Sequence, residues 1–74
     1  MDSEYEKIVG YNIRKIRKSM HMTQDELAAK LQVRGCDITR SALAKIEVGQ
    51  RHIYIDEIKA LKEIFGVTFE QLFV

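Results

Sequence analysis

The 74-residue sequence predicts an all-α protein, a compact five-helix bundle, and three observations lead there. Apolar residues recur at spacings of three and four, the period of a helix with one buried face. Two Thr-x-x-Glu/Gln segments, Thr23–Glu26 and Thr68–Gln71, have the form of capping boxes, in which side chains satisfy the free N–H groups of a helix start. Proline is absent, and the four glycines, Gly10, Gly35, Gly49 and Gly66, stand singly, as punctuation between short helices. A chain of this length makes one domain, residues 1–74. It lies near the lower limit for folding without staples, so nearly every apolar side chain must join one cluster.

Val9, Ile13, Ile16 and Met20 form the apolar stripe of a first helix over about 4–19, with Arg14, Lys15 and Lys18 on its other face. Thr23 opens a second helix over about 24–32, with Leu27, Ala28 and Leu31 inward and Ala28 and Ala29 small enough to admit a close neighbour. Residues 33–38 break the pattern, and Gly35 is free to take a positive φ. Thr39 is the expected N-cap of a third helix over about 40–47, buried through Leu43 and Ile46 and stopped at Val48-Gly49. A connector holding Ile53 and Ile55 leads to a fourth helix over 55–65, with Ile58, Leu61 and Phe65 inward and Gly66 as its stop. Thr68 opens a last turn expected to bury Phe69 and Leu72, with Phe73 beside them. Only Ile53 to Ile55 alternates, which is too short for a strand. Met20, Met22 and the phenylalanines read as packing, and His21 and His52 as isolated solvated or interfacial groups.

Composition narrows the function classes. Cys36 is the one cysteine, so no internal disulfide forms, which suits a reducing cytoplasm. No apolar run approaches the roughly 20 residues of a membrane span, and Met1 to Glu6 is acidic rather than a basic signal region, so a cytoplasmic protein with no membrane partner is expected. Net charge is only +1, but residues 7–51 hold ten basic side chains against four acidic ones. That basic middle is either one positive face for phosphate or ordinary solvated helix surface. A Gly-rich phosphate loop, His/Cys metal-ligand spacing and a plausible carboxylate pair are all missing, so no enzyme, no cofactor and no metal site is expected. Cys36 with Asp37 and His52 is a poor candidate nucleophile, since a loop cysteine in a small helical chain is usually inert.

The segments Ile13-Arg-x-x-Arg17, Met22-Thr-Gln-Asp-Glu-Leu-Ala28-x-x-Leu31, Thr39-Arg-Ser-Ala-Leu-Ala-Lys-Ile-Glu-Val-Gly49 and Ala60-Leu-x-x-Ile-Phe-Gly-Val-Thr-Phe-Glu-Gln-Leu-Phe73 carry a resemblance over almost the whole chain. It resembles the phage-repressor (Cro/cI-like, or Xre) helix-turn-helix regulators of bacteria and phages. That resemblance implies a lambda-repressor-like DNA-binding domain, a transcriptional regulator and in particular a repressor, with double-stranded operator DNA as its partner. The first helix of such a pair crosses the DNA backbone and the second lies in the major groove, its N-terminal residues meeting base edges. Here the third helix presents Arg40, Ser41 and Lys45 away from Leu43 and Ile46. Arg40 and Lys45 offer donors to guanine, Ser41 a donor or acceptor, and Ala44 a surface for a thymine methyl. Gln24 and Thr39, at helix starts, and Arg51, just after the third helix, are implied backbone contacts. Arg34, which the resemblance does not reach, is a further candidate for phosphate. Arg17 and Glu47 match the positions of a structural ion pair that fixes the angle between helices. One departure stands out: the family's glycine and tight turn after the second helix are replaced by Gln32 and a longer turn over 33–38.

The alternative is a protein-interaction module, an antitoxin or adaptor using the same fold. Arg40 and Lys45 without a nearby exposed acid favour DNA over that alternative. RNA is disfavoured because no stacking aromatics are expected on the basic face. No small-molecule effector is expected within this chain. The apolar residues of Phe69–Val74 exceed what one short turn buries, which points to a homodimer through the C-terminal helix.

Overall fold

The computed structural model describes residues 4–74, and the start of the acidic Met1–Glu6 segment lies outside them. The described residues form five α-helices and no strand: α1 (Glu4–Ser19), α2 (Gln24–Val33), α3 (Arg40–Glu47), α4 (Ile55–Phe65) and α5 (Phe69–Phe73). The expected helix spans hold, α2 being one residue longer than its apolar pattern. Thr23 and Thr68 cap α2 and α5 in full capping boxes, and the Thr39 hydroxyl accepts from the Ala42 N–H at the start of α3.

Helix α1 is the spine, packing on α3, α4 and α5, while α2 bridges α3 and α4. The core joins Val9 and Ile13 of α1, Leu27 and Leu31 of α2, Leu43 and Ile46 of α3, Leu61 and Phe65 of α4, and Leu72 of α5. Two residues expected inside, Met20 and Phe69, are exposed, and Phe73 is exposed too, as the surplus of apolar residues over Phe69–Val74 suggested. Met20 falls in the turn that ends α1, where His21 at φ 58° swings the chain away from the helix direction. Helix α5 has only five residues, so a single inward position, Leu72, reaches the core. Ile16 and Ile58 are half-buried against it. Ile55, in the connector as read from sequence, opens α4 and is exposed.

Gly10 is not punctuation. It sits in the middle of α1, where a Cβ would overlap the main-chain oxygen of Ile46, so its missing side chain lets α1 and α3 cross at backbone contact. Gly49, just past α3, meets Lys7 of α1 in the same way and takes φ +76°, a conformation open to glycine at little cost.

The 33–38 segment is an ordered part of the core. Cys36 and Ile38 are buried, Ile38 completely, and both join the main cluster. Main-chain bonds from Arg34, Gly35 and Cys36 return to Leu31 and Gln32, and the Gln32 amide donates to the Ile38 carbonyl at 2.9 Å. Arg34 braces the turn to α4 through Glu63 at 3.0 Å. The longer turn thus reaches α3 by plugging one more aliphatic side chain into the bundle.

Candidate nucleic-acid interface

The site is built on a buried ion pair. Arg17 Nε lies 2.7 Å from Glu47 Oε2, a second guanidinium N–H donates to Oε1 at 3.0 Å, and the two side chains are 8% and 1% exposed. A third donor of Arg17 reaches the Met22 carbonyl at 2.8 Å, and Gln24 Nε2 donates to Glu47 Oε1 at 3.1 Å. One network therefore ties the end of α1, the entry to α2 and the last turn of α3. A planar, bidentate contact fixes orientation as well as distance, so α2 and α3 are held at a set angle.

On that frame α3 turns Leu43 and Ile46 inward and leaves Arg40, Ser41 and Lys45 exposed, with Ala44 half-exposed between them. Two cations, a hydroxyl and a methyl on one helix side are the groups that read base edges in a major groove. The first turn of α2 lies alongside, since Asp25 Oδ1 is 4.0 Å from Arg40 Nε. An exposed acid therefore does stand near Arg40, contrary to the expectation from sequence. Both side chains are largely solvated, and such a pair holds an arginine only weakly.

The backbone-contact candidates differ in freedom. Thr39 is exposed, its hydroxyl oxygen accepting the cap bond from Ala42 at 3.1 Å. Gln24 is half-buried with one amide hydrogen given to Glu47. Arg51 enters a two-pronged pair with the buried Glu57, at 2.9 and 3.1 Å, and also donates to the His52 carbonyl. The Glu57 carboxylate holds the Arg51 guanidinium above its ordinary pKa, so that arginine stays charged while a portion of its donor set is spent within the chain. Arg34 is committed to Glu63 on α4.

Sequence reasoning missed Glu57. It receives the Tyr54 N–H at 3.0 Å as well as Arg51, so it clamps the loop after α3 to the start of α4. The available signal was a glutamate in the first turn of α4, where an acid favours the free N–H groups. His52 is not isolated either, because its Nδ1 meets Glu6 Oε2 of α1. Two exposed tyrosines also pair with cations: the Arg51 guanidinium lies 5.5 Å from the Tyr54 ring and Lys15 Nζ 5.7 Å from the Tyr11 ring. Among the described residues no cluster of His, Cys, Asp and Glu is placed to hold a metal ion, and no helix is long and apolar enough to cross a membrane.

A short pair of helices locked at a fixed angle, the second with a polar reading face, defines the helix-turn-helix class of DNA-binding transcriptional regulators. Residues 13–72 match the Helix-turn-helix family, so the chain belongs to it, and its features are those of the Cro/cI-like, Xre-type regulators. The structure is similar to that described as "Crystal structure of the DNA-binding domain of BldD", with a TM-score of 0.80, 26% identity and 100% of each chain covered. No curated protein matches the sequence.

Proposed function

We propose that the chain is a non-enzymatic, sequence-specific repressor that lays α3 in the major groove of a double-stranded operator in the cytoplasm. The observation that carries the proposal is the exposed Arg40–Ser41–Ala44–Lys45 side of α3, set on a helix whose far end is fixed by the buried Arg17–Glu47 pair. Arg40 and Lys45 take guanine edges, Ser41 a neighbouring base and Ala44 a thymine methyl. Gln24, Thr39 and the unspent donors of Arg51 take phosphates on either side, with Arg34 reaching phosphate only by leaving Glu63. A module of this size covers one half-site, and two copies bind half-sites about one helical turn apart. The similar structure carries the words "DNA-binding domain" in its description, which supports the same reading.

The homodimer uses the C-terminal segment, where Phe73 and Val74 are 39% and 81% exposed. Selection of bound sequences from random duplex DNA supplies the operator and tests the proposal together. Arg40→Ala and Lys45→Ala each cost about 1–3 kcal/mol at the selected site and relax base choice there. If no sequence is enriched, or both variants bind the selected site like the parent, the reading of α3 falls.

A further inference from the structure

The part of α1 turned away from its buried stripe borders an open groove, where a purely polar row would be the ordinary arrangement. Instead it carries Glu4, Ile8, Tyr11 and Lys15, which follow one another at four, three and four residues and so form one continuous seam. Ile8 and Tyr11, the middle pair, are 38% and 59% exposed. Tyr5, Asn12 and the Phe73–Val74 end of the chain lie beside the seam and complete an open groove. Lys15 is laid along the seam by its contact with the Tyr11 ring.

The order of these residues selects the occupant. Reading the seam backwards exchanges acid for base at the ends and aliphatic for aromatic in the middle, so the seam is its own complement. An antiparallel copy centred between Val9 and Gly10 sets Glu4 against Lys15 of the second copy and Ile8 against Tyr11 of the second copy, each contact occurring twice about a two-fold axis. A parallel copy would instead oppose like charges at both ends, which disfavours it.

We propose that this seam, flanked by Phe73 and Val74, is the homodimer interface, with α1 packed antiparallel on α1 of a second copy. The proposal rests on the homodimer reading above and gives that dimer its second element and its register.

Sedimentation equilibrium of the full chain tests it, with parent, Glu4→Lys, Lys15→Glu, the double reversal, Tyr11→Glu and Phe73→Ser/Val74→Ser compared. All of these positions are exposed, and circular dichroism verifies that each variant keeps the parent's helix content. Each single reversal weakens the dimer by about tenfold or more, the double reversal returns it to within about threefold of the parent, and Tyr11→Glu abolishes it. A dimeric parent whose single reversals change nothing, or whose double reversal is not rescued, overturns the seam and leaves a dimer through the C-terminal segment, which Phe73→Ser/Val74→Ser then weakens alone. A parent that stays monomeric at every concentration overturns both.

Discussion

Glu47 is almost wholly removed from water, yet it carries a charge, and that charge is compensated by Arg17 and by the Gln24 amide. Removing one member leaves the other buried and unpaired, which costs about 3–5 kcal/mol, while removing both relieves that penalty. In a urea double-mutant cycle, Glu47→Ala and Arg17→Ala together are therefore expected to destabilise by less than the sum of the singles. Additive values would mean the pair contributes nothing beyond two independent side chains. Gly10 is equally exposed to test: Gly10→Ala normally favours a helix, but here the new methyl meets the Ile46 main chain, which has no rotamer to move. Overpacking of this kind costs about 1–3 kcal/mol and outweighs the gain of up to about 1 kcal/mol in helix propensity. A melting temperature that rises in the variant would refute the close crossing. At Cys36 burial raises the thiol pKa, with the charges of Asp56 and Glu57 adding to the effect, so the nucleophilic thiolate is disfavoured. Iodoacetamide at neutral pH should label it only after unfolding, and fast labelling of the native chain would contradict its place in the core.

At the scale of elements, the capping box of α2 makes the fold pH-dependent. The Thr23 main-chain N–H, and then its hydroxyl, hold the Glu26 carboxyl below its ordinary pKa. A depressed folded pKa means that this contribution is present above the unfolded value of about 4.3 and is lost as pH falls through the lower folded value. Glu26→Gln keeps the acceptor and drops the charge, so the parent's stability advantage over it, measured by urea unfolding, should shrink as pH falls below about 4.3. A constant difference across that window would assign the cap no charge component. Helix α5 has its own anchor in the buried Asn12, which donates to the main-chain oxygens of Leu72 and Val74 at 2.8 and 3.2 Å. That bond ties the end of the chain to α1, and it places the exposed Phe73 beside the α1 seam.

For the molecule as a whole, a net charge of +1 gives no strong field, so attraction to DNA must come from the distribution of cations. Lys45 stands in solvent and Arg40 has only a loose, solvated contact with Asp25, whereas Arg17, Arg34 and Arg51 are paired more closely with carboxylates of the chain. The salt dependence of operator binding should then be shallow for the ten cations of residues 7–51, because each phosphate neutralised contributes a slope of only about −0.9 in log K against log salt. Arg51→Ala should weaken binding to every sequence alike and reduce the slope by about one. An unchanged slope in a fluorescence titration would show that Glu57 keeps that arginine from phosphate.

Local chemistry in the sequence was enough to place all five helices, because caps and apolar period act within one or two turns: Thr23, Thr39, Thr68 and Gly66 do their work on neighbours a few residues away. It also marked the polar side of α3, since which residues share a helix face follows from spacing alone. What tertiary structure decided lies between elements. Ile38 looked like part of an irregular turn and is fully buried, because burial there depends on where α3 is set relative to α2 rather than on periodicity. Met20 and Phe69 looked like core and are exposed, because Met20 falls in the turn after α1 and the five-residue α5 turns only Leu72 inward. Gly10 carries no local mark of the Ile46 oxygen it accommodates, and Glu57 none of the arginine it holds in the loop after α3. Spacing ranks the cations of the basic middle equally; only the positions of distant carboxylates separate those left largely in solvent from those the fold uses itself.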